Sequence, residues 1–132
     1  MGRFYSIDQA NARLLDLVPV LNKLKADRDA IAEGQRELTS FRQTNGNARH
    51  AADLKAREIR IGEMVFRMER HVAQIVDWDI TLRDIETGLV DFPALVNGRQ
   101  VCLCWRFGED AVDWWHELDS GFAGRKPLIE LT

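Results

Sequence analysis

Two long stretches of the sequence repeat apolar residues every three and four positions, the pattern of a helix that packs along one seam. Ser6, before the first stretch, and Gln9, three residues later, have the spacing of a capping box. We therefore predict a helix over residues 7–43, kinked at Pro19 because proline removes one backbone hydrogen bond. Its seam consists of Ile7, Ala10, Leu14, Leu17, Leu21, Leu24, Ile31 and Leu38.

A second seam follows the turn sequence at residues 44–47 and predicts a helix over residues 48–87. If the two seams face each other, the helices form a long antiparallel hairpin with coiled-coil-like packing, each about 55 Å long. Some apolar residues beside the seams stay uncovered in such a pair. We therefore expect a homodimer, in which a second copy completes a four-helix bundle. The uncovered residues are Leu15, Val18, Val65, Val72 and Val76.

The C-terminal part changes from a helical to an alternating apolar pattern. Residues 89–106 surround the pair Asn97-Gly98, which favours a two-residue β-hairpin turn. Residues 109–118 have polar and apolar stripes at helical spacing and predict a short helix, followed by a loop and tail over 119–132. The predicted fold class is mainly α: a single domain, 1–132, in which a long antiparallel helical hairpin carries a C-terminal β-hairpin and short helix.

Composition narrows the class of protein. The 132 residues carry a formal net charge of -3, so the basic surface of a nucleic-acid-binding protein is missing. The N-terminus has no apolar run of signal-peptide length, and no window approaches a membrane span. Cys102 and Cys104 are poor disulfide partners because they alternate along one strand, which indicates reduced thiols. We expect a cytoplasmic protein that binds neither nucleic acid nor membranes.

Two segments at the ends of the chain carry a family resemblance. They are FYSIDQANARLLDLVPVL, near the start, and GLVDFPALVNGRQVCLCWRFGEDAVDWWHELDSGFAGRKPL, near the end. Both resemble a bacterial family known as domain-of-unknown-function family 2203, whereas the helices between them match only in pattern. The resemblance supports the segment boundaries and implies no activity.

Ionisable side chains gather in residues 91–125. In the predicted hairpin register Asp91 lies opposite Cys104, and Arg106 lies diagonally beside it. In the predicted short helix His116 lies one turn or two after carboxylates on the same polar stripe. One interpretation is structural: Asp91 and Arg106 form an ion pair, and His116 is exposed on a helix whose tryptophans are core.

The alternative is a cleft that binds a small anionic molecule. The candidates for proton transfer or other catalysis are His116, Glu109 and Asp91. The candidates for ligand binding are Arg106, Arg125 and Glu117. The glycine-rich residues 121–125 lack the Lys-Ser/Thr pair of a phosphate loop and are interpreted as a tight turn.

A divalent metal is the third interpretation of this region. The candidate ligands without cysteine are His116, Glu109 and Asp113. A thiolate zinc site would add Cys102 and Cys104, although Cys-x-Cys lacks the two-residue spacing of common zinc knuckles.

No nucleophile motif, cofactor fingerprint or metal signature is complete in the sequence. The first functional hypothesis is therefore a dimeric helical scaffold or interaction protein with a C-terminal polar cluster. The alternative is a small enzyme or sensor that binds an anionic small molecule or a metal through residues 91–125.

Overall fold

A computed structural model describes residues 2–44, 46 and 48–131 of the chain. Helices α1 (Ile7–Arg42) and α2 (Ala48–Asp77) form a hairpin. It is antiparallel, since Arg42 contacts Glu58 close to the connection and Asp27 contacts His71 further along. Neither helix combines the length and the apolar character that crossing a membrane requires, as far as the described residues go.

A five-stranded antiparallel sheet follows the hairpin within the described residues, with its strands side by side in chain order. Two short 3-10 turns, Phe122–Gly124 and Leu128–Leu131, flank the last strand. The strands are β1 (Thr81–Asp84), β2 (Leu89–Val96), β3 (Arg99–Trp105), β4 (Trp114–His116) and β5 (Lys126–Pro127).

Helix α1 begins where its sequence predicts. The Ser6 hydroxyl accepts a hydrogen bond from the Gln9 amide at 3.1 Å, and the Gln9 side chain accepts one from the Ser6 amide at 2.9 Å. This capping box satisfies two amides that a helix start leaves without partners. The predicted seam is confirmed apart from Ile7, which is exposed. Pro19 lies inside the continuous helix.

The predicted end of the second helix at residue 87 is wrong, because α2 ends at Asp77. Asp79 adopts a positive φ of 61°, a conformation that no α-helix continues through. The chain then enters β1, which pairs with β2. Leu82 and Ile85 lie seven residues after Ile75 and Trp78, as in a continued helical seam, but they pack against the core from outside the helix. Sheet pairing has overridden the helical pattern here.

The predicted β-hairpin register is confirmed, with Val96 opposite Arg99 and Asp91 opposite Cys104. Asn97 and Gly98 both have positive φ, 52° and 77°, as a two-residue type I′ turn requires.

The predicted fold class is wrong in its β part. The sheet has five strands where a single hairpin was expected, and residues 109–118 contain no helix in the structure. Trp114–His116 instead forms β4, which pairs with β3. Trp115 packs in the apolar core, whereas its two neighbours point to the other face of the sheet, as in a strand. Strand β4 also completes hydrogen bonds that β3 would otherwise leave open. The chain is thus a helical hairpin on a substantial antiparallel sheet.

The core lies between one sheet face and the part of the hairpin nearest the sheet. Tyr5 binds the N-terminal segment to this core through two hydrogen bonds. The Tyr5 hydroxyl donates to the Trp78 carbonyl at 2.6 Å, and the Tyr5 amide donates to the Pro93 carbonyl at 2.7 Å. The largest fully buried apolar side chains of this core are Phe92, Leu17, Leu21, Leu24, Ile75, Leu103, Val90, Val101 and Val112.

The rest of the hairpin extends beyond this core, and we call it the arm: residues 25–44 and 48–67. Only Ile31 and Leu38 are buried among its described residues. Ile59 and Phe66 are exposed by 54% and 63%. The arm is therefore a two-helix layer that no other part of the described chain covers.

Candidate functional site

The sheet face opposite the helices carries a cluster of buried polar side chains. Buried charged and polar residues of this kind are uncommon in proteins. Side chains alternate along a strand, so Asp91, on β2, and both cysteines, on β3, point away from the apolar core. His116 on β4 points to the same side. We call Asp91, Cys102, Cys104 and His116 the outer-face cluster; each is at most 6% exposed.

Asp91 is the centre of the cluster. Its Oδ1 lies 2.8 Å from His116 Nε2, and its Oδ2 accepts a hydrogen bond from Arg83 Nε at 2.7 Å. Asp91 is 3% and His116 1% exposed, so removing either would leave the other buried with one polar partner fewer. Arg83 lies on β1, the strand next to β2, and its side chain is half exposed to solvent.

The hydrogen-bond partner of the second ring nitrogen of His116 shows which atoms of the Asp91–His116 pair carry protons. Nδ1 lies 2.7 Å from the Glu117 carbonyl oxygen, which can only accept, so Nδ1 carries a hydrogen. The hydrogen bond between Nε2 and Asp91 requires one more proton, held on one atom or the other. In both cases the Asp91–His116 pair has no net charge.

The two thiols lie on the same face as this pair, on the central strand β3 between β2 and β4. Burial, together with the nearby Asp91 carboxylate, raises the pKa of Cys104 from 9.0 to about 12. The same two causes raise the pKa of Cys102 from 9.0 to about 11, partly opposed by Arg83. Both are free thiols, and at neutral pH they are protonated and weakly nucleophilic. Neither cysteine is thus prepared as a nucleophile.

A second polar group lies beside the cluster. Arg125 NH2 donates to Glu109 Oε2 at 2.6 Å, and its guanidinium lies over Trp114 at 4.6 Å and over Phe122 at 4.7 Å. Its Nε is buried and makes no hydrogen bond with any described residue. Arg106 also lies near this group, with its guanidinium 5.0 Å from the centre of the Phe122 ring.

These contacts correct the predicted partnerships. Asp91 pairs with Arg83 and His116, where Arg106 was expected, because β4 and β1 both border the hairpin. Arg83 was missed because its segment was assigned to the second helix, where no pattern pointed to this face. His116 is buried, and the expectation of an exposed histidine on a helix is wrong.

The remaining predicted site residues are dispersed. Glu109 binds Arg125 and accepts the Arg106 amide at 2.8 Å, so it does not belong with His116. Glu117 Oε2 accepts from Arg99 at 2.6 Å, and only its carbonyl touches His116. Asp113 is exposed, with its carbonyl bound to the Leu128 amide at 2.9 Å. The predicted set of Glu109, Asp113 and His116 therefore does not converge on one point.

A surface cleft of about 400 Å³ opens next to the outer-face cluster. Arg83, Asp91 and Cys102 form part of its wall. The cluster is consequently buried but close to solvent on one side.

The structure defines a class of protein: a helical hairpin packed on one face of an antiparallel sheet, whose other face holds a carboxylate, an imidazole and two thiols. Residues 3–128 match the model of the family described as "Uncharacterized conserved protein (DUF2203)", and the chain belongs to this family. The resemblance seen in the two terminal segments is thus confirmed. No curated protein and no solved structure matches the chain.

Proposed function

We propose that the chain functions as a dimeric helical interaction protein whose contact surface is the arm. The observation that carries this proposal is the exposure of large apolar side chains on α2. Ile59 and Phe66 are seven residues apart, so they lie on one side of the helix. Val65, half-buried, lies between this side and the seam. Together they form an apolar flank that a two-helix layer cannot cover.

Gly62 supports a helix contact at this flank. Glycine inside a helix costs about 1 kcal/mol relative to alanine, and a Cβ added at Gly62 would meet no atom of the chain within 4 Å. Gly34 differs, because a Cβ there would lie 3.3 Å from Ile61 and 3.4 Å from Met64. Packing within the chain explains Gly34. Close approach of another helix would explain Gly62.

A second copy of the chain is the occupant we favour. Two copies related by a two-fold axis present the same flank to each other, so one apolar surface covers its equal. Helix α2 has 30 residues and is about 45 Å long. Two such hairpins side by side have the length to bury the roughly 800 Å² per chain that stable interfaces cover.

Light scattering coupled to size exclusion tests the dimer. At tens of micromolar we expect about twice the chain mass of 15.2 kDa. Ile59→Asp should convert the protein to a folded monomer, because it places a charge in the interface. Ile129→Asp is the matched control, since Ile129 is 84% exposed and lies outside the arm.

Two results would contradict the proposal. A wild-type monomer across this concentration range would remove the dimer altogether. A dimer that Ile129→Asp breaks and Ile59→Asp leaves intact would place the contact elsewhere.

A further inference from the structure

We propose that Asp91, Cys104 and His116 form a site for one divalent metal ion of the zinc class. Asp91 Oδ1, Cys104 Sγ and His116 Nε2 all lie within 4.8 Å of one another, and all three residues are buried. The site goes beyond the interaction function and does not depend on the dimer.

The separations of these atoms suit a small ion. Zinc binds nitrogen and oxygen at about 2.0–2.2 Å and sulfur at about 2.3 Å. Tetrahedral geometry then sets neighbouring ligand atoms roughly 3.3–3.8 Å apart. The 2.8 Å contact between Asp91 and His116 must therefore open slightly when the ion replaces the shared proton. The three ligands lie on the adjacent strands β2, β3 and β4, which keeps their side chains close together.

The surrounding contacts are those of a metal site. Histidine ligands usually donate their other ring N–H to a carbonyl or carboxylate, and carboxylate ligands are themselves hydrogen-bonded. His116 Nδ1 donates to the Glu117 carbonyl at 2.7 Å, and Arg83 holds the second oxygen of Asp91 at 2.7 Å. Nε2 and Oδ1, which face each other at 2.8 Å, are thus the atoms left to bind the ion once it replaces their shared proton.

Charge also balances in the exchange. Before binding, the Asp91–His116 pair is neutral and Cys104 is a neutral thiol. The ion displaces two protons, one from the thiol and one from the hydrogen bond between Asp91 and His116, and these pass to solvent. Two negative ligands then offset the charge of the ion. The buried cluster keeps zero net charge, which avoids the cost of leaving an uncompensated charge in the interior.

The ligand types select the metal. A thiolate and an imidazole favour zinc over magnesium or calcium, which prefer oxygen ligands. Three protein ligands leave one position for water or a substrate, as in catalytic zinc sites. The cleft lined by Arg83, Asp91 and Cys102 gives the site a route to solvent.

Cobalt spectroscopy on the chelator-treated full chain tests the site. Co²⁺ replaces zinc in such sites, and a cobalt–thiolate bond produces a charge-transfer band in the near ultraviolet. We expect this band to saturate at one equivalent of Co²⁺ and to disappear when Zn²⁺ is added. Zn²⁺ should also raise the melting temperature, since a ligand bound only to the folded state stabilises it.

The two cysteines provide matched variants. Cys102→Ser should keep the cobalt band, because it retains the proposed ligand Cys104, which is then the only thiol in the chain. Cys104→Ser should lose it while keeping the circular dichroism of the folded protein. If Cys104→Ser does not fold, the wild type and Cys102→Ser decide, and the band must appear in both.

Three results would overturn the site. The first is no band in the wild type at stoichiometric Co²⁺. The second is a band that Cys102→Ser abolishes. The third is thermal stabilisation by Zn²⁺ without any cobalt–thiolate band, which would place metal binding on other residues.

Discussion

The sheet-bound part of the hairpin and the arm carry the same apolar seam, yet they bury it differently. In α1 the difference is small: Leu17 and Leu24 are at 0% exposure and Leu14 at 9%, while Ile31 and Leu38 in the arm retain 9% and 8%. In α2 the contrast is larger, because Ile75 is buried and every described arm residue of that helix is half-buried or exposed.

The reason is the number of layers. Near the sheet, the buried seam residues pack against both the opposite helix and the strands. In the arm only the opposite helix is present, and water reaches the flanks. The same heptad pattern therefore makes a core where a third layer exists and an open surface where it does not.

The largest effect should come from a charge placed in the three-layer region. Leu24→Asp should cost about 4 kcal/mol or more, because its carboxylate has no partner there. Leu38→Asp, in the same seam, should cost clearly less because a small displacement at the arm brings its charge to water. Chemical denaturation of both variants measures this difference. Equal losses would mean that the arm is as well packed as the core.

Two histidines of different burial give the next comparison, His116 in β4 and His71 in α2. His116→Ala should cost about 3 kcal/mol, since it leaves Asp91 buried with one partner fewer. His71 bonds Asp27 at 3.0 Å, but the two side chains are 22% and 15% exposed. His71→Ala should therefore cost about 1 kcal/mol. Urea denaturation at neutral pH compares the free energies of unfolding of the two variants. A larger loss of stability for His71→Ala than for His116→Ala would contradict the deeper burial of His116.

The thiols of the outer-face cluster should respond to alkaline pH. Their pKa values are raised in the folded chain, from 9.0 to about 11 for Cys102 and about 12 for Cys104. The stability that the buried neutral thiols contribute is complete below pH 9.0 and is lost as pH rises through these higher values. The denaturation midpoint should fall across that window.

The serine variants are the control for this alkaline effect. Cys102→Ser and Cys104→Ser should each flatten the fall in the denaturation midpoint, because each removes one titrating thiol. At about pH 8, thiol reagents should react slowly with the native wild type and rapidly once it is unfolded. Fast native reaction would show that the cluster is open to solvent.

The smallest effect should be at an exposed turn of the sheet. Hydrogen bonds from the Thr87 hydroxyl and amide lower the pKa of Asp84 below its usual 3.8. This contact favours the ionised carboxylate, so its contribution is present above that value and is lost as pH falls. Thr87→Ala should raise the pKa of Asp84, measured by NMR titration, with Thr81→Ala as the unaffected control. An unchanged pKa of Asp84 would show that the Thr87 hydroxyl is not what lowers it.

Local signals predicted much of the chain correctly. The capping box at Ser6 located the start of α1, and the seam predicted which of its residues are buried. Asn97-Gly98 predicted the turn and, through it, the pairing of Asp91 with Cys104. Each of these features depends on residues close in sequence or on one tight turn, so the pattern alone carries the information.

The partnerships of the site depended on distant segments. His116 reaches Asp91 only because residues 114–116 form a strand beside β3, and a three-residue strand has too few positions to distinguish it from a short helix by periodicity. Arg83 reaches Asp91 only because α2 stops at Asp77, although the apolar spacing continues to Leu82.

The sequence by itself determined the two helices, the hairpin register and the alternation that separates apolar from polar sheet faces, because helix and strand periods and turn residues act locally. Tertiary structure alone decided that α2 ends early, that the sheet grows to five strands, and that carboxylate, imidazole and thiol meet on one buried face. Those choices follow from hydrogen bonds and burial between segments far apart in the chain. Such contacts outweigh the weak local preference of any short segment.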